Sequence, residues 1–145
     1  MNVIMIDAAA PRRRLAALAA MLATLLLGLV SRHWPALLPA ALGKYPGDAL
    51  WALMVLFGWR ALRPRATTRN VALLALATSA AVELAKLWQA PWLVAFRHTN
   101  VGHLLLGHVF SWRNLVAYGV GVLAGVALDH LLFRRTAACP PTSSR

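Results

Sequence analysis

Acidic residues and cysteine are both scarce in this chain. Of its 145 residues, 4 are Asp or Glu, and Cys139 is the single cysteine. One cysteine excludes an internal disulfide and any metal site of clustered thiolates, so the sequence does not indicate a redox compartment. Charged residues of all kinds make up 13% of the chain, against about 25% in a typical soluble domain. The chain therefore lacks the residues that normally cover a water-exposed surface.

Apolar and basic residues are abundant instead. The apolar class reaches 60%, the mean hydropathy is +0.62, and 15 Lys and Arg residues give a formal net charge of +11. The apolar share indicates that the solvent of this chain is lipid. A basic balance also occurs in nucleic-acid-binding proteins, but here the charges lie in short clusters between apolar runs rather than in one patch. The sequence therefore predicts membrane lipids as partners and no nucleic acid.

Four apolar stretches are separated by loops, and they are Leu15–Ser31, about Ala49–Leu62, Val71 to about Ala90, and Leu115–Phe133. A membrane-spanning helix needs about 20 residues, which the last two stretches have and the first two reach with flanking residues. The sequence predicts an all-α polytopic membrane protein with four transmembrane helices. Residues 1–136 are expected to form one domain and residues 137–145 a disordered cytoplasmic tail.

Two further segments need interpretation. The first stretch follows three arginines, as in a signal peptide, but charged and bulky residues precede the nearest small-residue segment, Ala40–Gly43. We therefore expect an uncleaved span. Between the third and fourth stretches, Val101–Phe110 is apolar but too short to cross a bilayer. This length predicts a short interfacial or re-entrant helix, and which of the two it is stays open.

Basic residues are distributed unevenly between the two sides of the predicted bundle. The amino-terminal segment, the middle loop with Arg60, and the carboxyl-terminal tail together hold ten of them. The opposite side holds four, which are Arg32, Lys44, Arg97 and Arg113. Because cytoplasmic loops carry the excess of positive charge, both termini are predicted to be cytoplasmic, with the protein in the cell inner (plasma) membrane.

Small residues recur every four positions on the fourth stretch, at Ala117, Gly121 and Gly125. Such a stripe lets another helix approach closely. Lipid gives little hydrophobic drive for helix association, so close packing has to hold the bundle together. We expect these three positions to be helix-packing contacts.

Glu83 is the most unusual residue because it lies within the third apolar stretch. An ionisable group inside the bilayer costs at least ~2.5–3.5 kcal/mol on insertion scales. Offsets of four and three place Ser79, Glu83 and Lys86 along one helix face, which is predicted to point into the bundle. Two interpretations stay open: the pair Glu83 and Lys86 only fixes helix packing, or it belongs to a functional site.

Other polar residues are expected at the same level of the bundle. Asp48 opens the second stretch, Arg97 follows the third, and Asn114 precedes the fourth. We hypothesise that Asp48, Glu83, Lys86, Arg97 and Asn114 form an outward-facing ligand-binding cleft. Simpler roles stay open for three of them, since Asp48 and Asn114 suit helix caps and Arg97 suits contact with lipid headgroups.

Metal and cofactor sites are not indicated. His98, His103 and His108 are spaced by five, which turns each about 140° from the last on a helix. Zinc ligands are usually closer together and joined by a carboxylate or cysteine. We therefore predict no metal site and no cofactor.

Motifs for catalysis are not found either. The sequence has no nucleophile triad spacing, no phosphate-binding glycine loop and no pair of carboxylates at one level. Asp129 and His130 end the fourth stretch, where interfacial solvation and Arg134 or Arg135 account for them. The sequence favours a non-catalytic protein, and the question of an enzyme stays open.

Four segments, in their order along the chain, resemble a known family. They are Gly47–Leu53, Val82–Trp88, Pro91–Thr99 and Leu104–Gly121. Together they are similar to the bacterial membrane family called domain of unknown function 2809, over about residues 12 to 133. More distantly, the pattern resembles the VanZ-like proteins, which are small envelope membrane proteins linked with low-level teicoplanin resistance.

This chain departs from that family pattern at two positions. The pattern usually has Gln where this chain has Lys86, and Asp where it has Asn114. Lys86 supplies a counter-charge for Glu83, whereas Asn114 removes a carboxylate that a proton-transfer scheme needs. The resemblance supports the architecture more than an activity. The leading hypothesis from the sequence is a non-catalytic envelope protein whose outward-facing cleft binds a lipid-like or anionic amphiphile. The alternative is a small proton-coupled transporter using Glu83, and neither the ligand nor the oligomeric state is indicated.

Overall fold

A computed structural model describes residues 9–34, 45–107 and 109–133. These residues form six α-helices and no β-strand, so the all-α prediction is confirmed for them. The helices are α1 Ala9–His33, α2 Tyr45–Leu62, α3 Thr68–Ala85, α4 Pro91–Arg97, α5 Asn100–Leu106 and α6 Trp112–Phe133. The predicted disordered tail, 137–145, lies outside the described residues.

Helix α2 occupies the centre, where it packs against α1, α3 and α6, and α6 also packs against α3. The core of this bundle is apolar and draws on α2, α3 and α6: Ala52, Leu53, Leu56, Phe57, Val71, Ala75, Tyr118 and Val122. The contact between α2 and α6 is close. A methyl group at Gly121 would overlap the backbone carbonyl of Ala49, and one at Gly125 would press on Leu53 and Leu56. The small-residue stripe thus faces α2.

The exterior of the bundle is strongly apolar. Leu22 on α1, Leu76 on α3 and Leu123 on α6 are exposed, as are many other large apolar side chains. Two helical segments, Ala10–Ser31 and Trp112–Phe133, are long and apolar enough to cross a membrane. Helices α2 and α3 have 18 residues each and carry ionisable side chains. These features indicate a membrane protein.

The third long helix is shorter than predicted, because α3 ends at Ala85 and not near Ala90. The backbone N–H of Lys86 donates to the carbonyls of Glu83 and Leu84, which tightens the last turn. A proline at the first position of α4, Pro91, then starts a separate helix. The prediction of a helix to about Ala90 rested on apolar composition, which does not reveal this turn.

Two short helices, and not one, connect α3 to α6. Thr99 separates them: its hydroxyl accepts from the backbone N–H of Gly102 at 3.0 Å and so caps α5. Gly107 ends α5 with φ at 64°, a left-handed conformation that favours glycine. A side chain at that position would also meet the end of Lys86. Gly107 therefore lies against the Lys86 side chain, at the end of α3.

Gly121→Ala should destabilise the protein, because its added methyl group forces α2 and α6 apart. Overpacking of this kind costs about 1–3 kcal/mol. The measurement is thermal unfolding of the full chain in dodecyl maltoside, where we expect a lower midpoint. Gly119→Ala is the matched control, since a methyl group there meets no atom within 4 Å. Equal shifts for the two variants would contradict the close approach.

Candidate functional site

The Glu83 carboxylate is fully buried, at 0% exposure, and accepts four hydrogen bonds. One oxygen, Oε1, accepts from the backbone N–H of Ser111 at 2.7 Å and from Asn114 Nδ2 at 3.1 Å. The other, Oε2, accepts from Lys86 Nζ at 2.5 Å and from the Tyr118 hydroxyl at 2.9 Å. We call these five residues the Glu83 cluster.

Helix geometry explains how the Glu83 cluster assembles. Glu83 lies in the last turn of α3 and Lys86 is the C-cap of that helix, three residues later. Asn114 and Tyr118 are four residues apart on α6, so each pair points to one side. Ser111 lies just before α6, where its N–H has no helical partner to bind. The carboxylate therefore ties the end of α3 to the beginning of α6.

The charge and the hydrogen-bond acceptors of the Glu83 carboxylate are satisfied within the cluster. Lys86 is 6% exposed and neutralises Glu83, while both carboxylate oxygens have two donors each. A charge buried in apolar surroundings is tolerated when it is paired and its remaining hydrogen-bonding sites are filled. This geometry is that of a buried ion pair between Glu83 and Lys86, to which three further donors are added. The pair does not present a free cation or carboxylate to a ligand.

Arg97 lies beside the cluster but acts on the backbone. Its guanidinium donates to the carbonyl of Ala85 and, at 3.5 Å, to that of Lys86. These are carbonyls at the carboxyl end of α3, where a cation also interacts favourably with the helix dipole. Arg97 is 3% exposed, so it is buried against the protein and does not extend into solvent or headgroups.

Asp48 and Ser79 complete the set of residues singled out from the sequence. Asp48 lies in the first turn of α2 and is buried, which agrees with its simpler role at a helix start. Ser79 is buried one turn before Glu83 on α3, as the helix spacing predicted. The structure thus brings Glu83, Lys86 and Asn114 into contact, sets Arg97 next to them, and leaves Asp48 on another helix.

A second buried ion pair lies at the opposite end of the bundle. The Arg60 guanidinium at the end of α2 binds both oxygens of Asp129 near the end of α6, with Nε to Oδ1 at 2.6 Å. The Thr68 hydroxyl also donates to Asp129 Oδ2 at 2.6 Å, and Arg60 Nη1 donates to the Ala66 carbonyl at 2.6 Å. Both charged side chains are almost fully buried.

The sequence interpretation of these residues was wrong. Arg60 was counted as a loop residue, but it lies within the last turn of α2. Asp129 was attributed to solvation and to Arg134 or Arg135, which both lie outside the described residues, whereas its partner is Arg60. One feature of the sequence does point to this pair: Arg60 and Asp129 are each an isolated charge near the end of an apolar helix. Because α2 and α6 run parallel, their carboxyl ends lie side by side and these two charges meet.

Histidine and acidic side chains are the candidate metal ligands in residues 9–34, 45–107 and 109–133. This part of the chain has no group of three His, Cys, Asp or Glu side chains that could hold a metal ion. Two of the three spaced histidines, His98 and His103, lie in this part, at the ends of different short helices. His108 lies outside it.

An apolar groove of about 430 Å³ runs between the beginnings of α2 and α6. Its floor and walls come from small and branched side chains such as Ala49, Val116 and Val120. Polar groups occur at its edge, where Arg113 Nη1 lies 3.5 Å from the Tyr45 hydroxyl. Arg113 is exposed, so a guanidinium stands at the mouth of an apolar groove, next to Asn114 of the Glu83 cluster. We call this feature the α2–α6 groove.

Glu83→Gln should destabilise the protein, because it leaves the Lys86 ammonium buried without its counter-charge. Breaking a buried ion pair costs about 3–5 kcal/mol. Lys86→Met should also destabilise it, and the double variant should lose less stability than the sum of the two. Thermal unfolding of all four proteins in dodecyl maltoside gives this comparison. Additive losses would show that the two side chains do not depend on each other.

Comparison with known proteins identifies a family for this chain. No solved structure matches the chain. The family model described as "Protein of unknown function (DUF2809)" matches residues 37–122, which is more than half of the chain and covers α2 through the first half of α6. The match therefore includes every residue of the Glu83 cluster. The chain belongs to the DUF2809 family of proteins of unknown function.

Proposed function

We propose that this chain is a multi-pass membrane protein with four spans, α1, α2, α3 and α6. Their lengths of 25, 18, 18 and 22 residues correspond to roughly 27–37 Å of helix, close to the roughly 30 Å of a hydrocarbon core. The charges on α2 and α3 do not argue against crossing, since Arg60, Glu83 and Lys86 are paired inside the bundle. Short helices α4 and α5 then lie at the end where α3 stops.

The orientation follows from the charges at the two ends. The end with the Arg60–Asp129 pair carries most arginines of the described residues: Arg12, Arg13, Arg14, Arg60, Arg63, Arg65 and Arg69. Arg14 Nε donates to the Ala61 carbonyl at 3.1 Å, which joins the start of α1 to the end of α2. By the positive-inside rule this basic end is cytoplasmic. Both termini then face the cytoplasm.

A green fluorescent protein fused after Arg145 tests this orientation. The fusion should fluoresce, because the fluorescent protein folds in the cytoplasm, and an alkaline phosphatase fusion at the same site should be inactive. The measurement compares the two fusions at equal expression. A dark, well-expressed fluorescent fusion with an active phosphatase fusion would reverse the orientation.

We further propose that the protein binds an anionic amphiphile in the α2–α6 groove, as part of the cell envelope. The single observation that carries this proposal is the exposed Arg113 guanidinium at the mouth of an apolar groove of about 430 Å³. Apolar walls suit an acyl chain, and a guanidinium binds phosphate or carboxylate oxygens through two parallel hydrogen bonds. This places the ligand beside the Glu83 cluster.

The residues of the original cleft hypothesis take supporting roles in this proposal. Lys86 and Arg97 are engaged with Glu83 and with backbone carbonyls, so neither donates to the headgroup. Asn114 lies on α6 immediately after Arg113, and its bond to Glu83 fixes the start of that helix. The Glu83 cluster thus holds the groove in shape, and Arg113 recognises the charge.

The test is native mass spectrometry of the full chain after exposure to equal amounts of phosphatidylglycerol and phosphatidylcholine. Arg113→Gln should lower the preference for phosphatidylglycerol about tenfold, the effect of losing one charge-assisted hydrogen bond. Val120→Trp should lower retention of both lipids, because the indole fills the groove. Leu123→Trp is the matched control, since Leu123 is exposed on α6 outside the lining of the groove.

Lipid retention unchanged by both Arg113→Gln and Val120→Trp would contradict binding in the groove. The alternative from the sequence, proton-coupled transport through Glu83, gives a different outcome in proteoliposomes. It requires pH-dependent flux that Glu83→Gln abolishes. Binding without transport gives no flux with either protein.

A further inference from the structure

The two short helices between α3 and α6 form a hairpin with two different faces. On α4, Trp92 and Phe96 are four residues apart and both are exposed. Leu93 and Arg97 are also four residues apart, and both are buried. We propose that this hairpin, Pro91–Leu106, lies in the membrane interface, with its aromatic face on the acyl chains and its α4–α5 junction among the headgroups. This inference rests on the proposed four spans and not on ligand binding in the α2–α6 groove.

The hairpin is held in one orientation by close contacts. Gly102 of α5 approaches α4 so closely that a methyl group there would overlap the Phe96 carbonyl. Arg97 fastens α4 to the end of α3, because its guanidinium donates to the backbone carbonyl of Ala85. The exposed aromatic face therefore has a fixed direction relative to the long helices.

Exposed tryptophans are concentrated at the end of the bundle that carries the Glu83 cluster. Four of the six tryptophans are exposed, and they are Trp34 after α1, Trp88 after α3, Trp92 on α4 and Trp112 at the start of α6. The other two, Trp51 and Trp59, are half-buried on α2. Indole rings prefer the level of the headgroups, where one side is apolar and the other is wet. The exposed indoles therefore mark this end as the one that lies in an interface.

The junction between α4 and α5 indicates how deep the hairpin lies. His98, Thr99 and Asn100 form this junction, and all three are exposed. A re-entrant hairpin would carry the junction toward the middle of the hydrocarbon, where polar side chains and non-helical backbone exposed to lipid are costly. An interfacial hairpin leaves the junction among headgroups and water. The exposed polar junction therefore favours the interfacial position.

Trp112 connects the level of the hairpin to the α2–α6 groove. It is the first residue of α6 and directly precedes Arg113, whose guanidinium is exposed at the mouth of the groove. Its ring packs edge to face on Phe110, with 5.0 Å between the ring centroids. An indole held at the interface places the neighbouring guanidinium at the level of the headgroups. The hairpin and Trp112 together set the depth of α6 in the leaflet.

Nitroxide labels on single cysteines measure the depth of the hairpin in vesicles of phosphatidylglycerol and phosphatidylcholine. The background is the full chain with Cys139→Ser. Asn100→Cys reports on the junction, Phe96→Cys on the aromatic face, and Leu76→Cys on the exposed middle of α3. Power saturation compares relaxation by oxygen, which concentrates among acyl chains, with relaxation by a nickel chelate, which stays in water. We expect nickel to dominate at position 100, oxygen to dominate at position 76, and position 96 to lie between them.

Two other outcomes are distinguishable. A label at position 100 that is as protected from nickel as the label at position 76 would show a re-entrant hairpin and overturn the proposal. A label at position 76 that nickel reaches freely would contradict the span assigned to α3, and the four-span proposal would fail with it. Neither outcome depends on whether a lipid occupies the α2–α6 groove.

The indoles of the hairpin are tested as anchors by a double substitution. Trp88 and Trp92 pack edge to face, with 5.9 Å between their ring centroids, and so form one aromatic patch. Trp88→Ala combined with Trp92→Ala should raise the nickel accessibility of the label at position 96 and lower its oxygen accessibility. Trp34→Ala is the matched control, because it removes an exposed indole from the same end but outside the hairpin. Equal shifts, or no shift in the double variant, would overturn the anchoring role.

Discussion

The Glu83 carboxylate is the constraint on which one end of this bundle depends, where α3 ends and α6 begins. A fully buried carboxylate in apolar surroundings needs a counter-charge, and its oxygens need hydrogen-bond donors. Four donors from three separate parts of the chain do this: α3, the segment before α6, and α6 itself. Moving any of these parts would leave the carboxylate unsatisfied. One side chain therefore fixes the position of α6 on α3 and of the connection over both.

Polar contacts of this type replace the hydrophobic effect that orders a soluble protein. Lipid chains are as apolar as leucine, so burying leucine between helices gains little, and close packing and hydrogen bonds must specify which helices meet. Gly121 provides the close packing against α2, and the two buried ion pairs act near the two ends of α6. Replacing such a pair with apolar residues is often neutral for stability, whereas removing one partner alone is costly, so arrangements that separate the partners are disfavoured.

Satisfied and unsatisfied charges have different consequences for function. Glu83 is paired with Lys86, and Arg60 with Asp129, inside the protein, which makes these four side chains poor ligands for anything else. The proposal for binding instead rests on Arg113, whose exposed guanidinium lies at the mouth of an apolar groove. This division explains why the residues most conspicuous in the sequence support the site and others are proposed to bind.

The sequence by itself determined the helical class, the apolar exterior, the asymmetry of the arginines and the inward face with Ser79, Glu83 and Lys86. All of these follow from composition or from the 3.6-residue period, which are local properties. Only the tertiary structure decided that Tyr118 binds Glu83, that Arg97 caps α3 and that Arg60 pairs with Asp129, 69 positions away. Those contacts depend on how each helix is rotated and shifted along its neighbour. Rotation and shift are set by the fit of whole helix surfaces, which no single segment encodes.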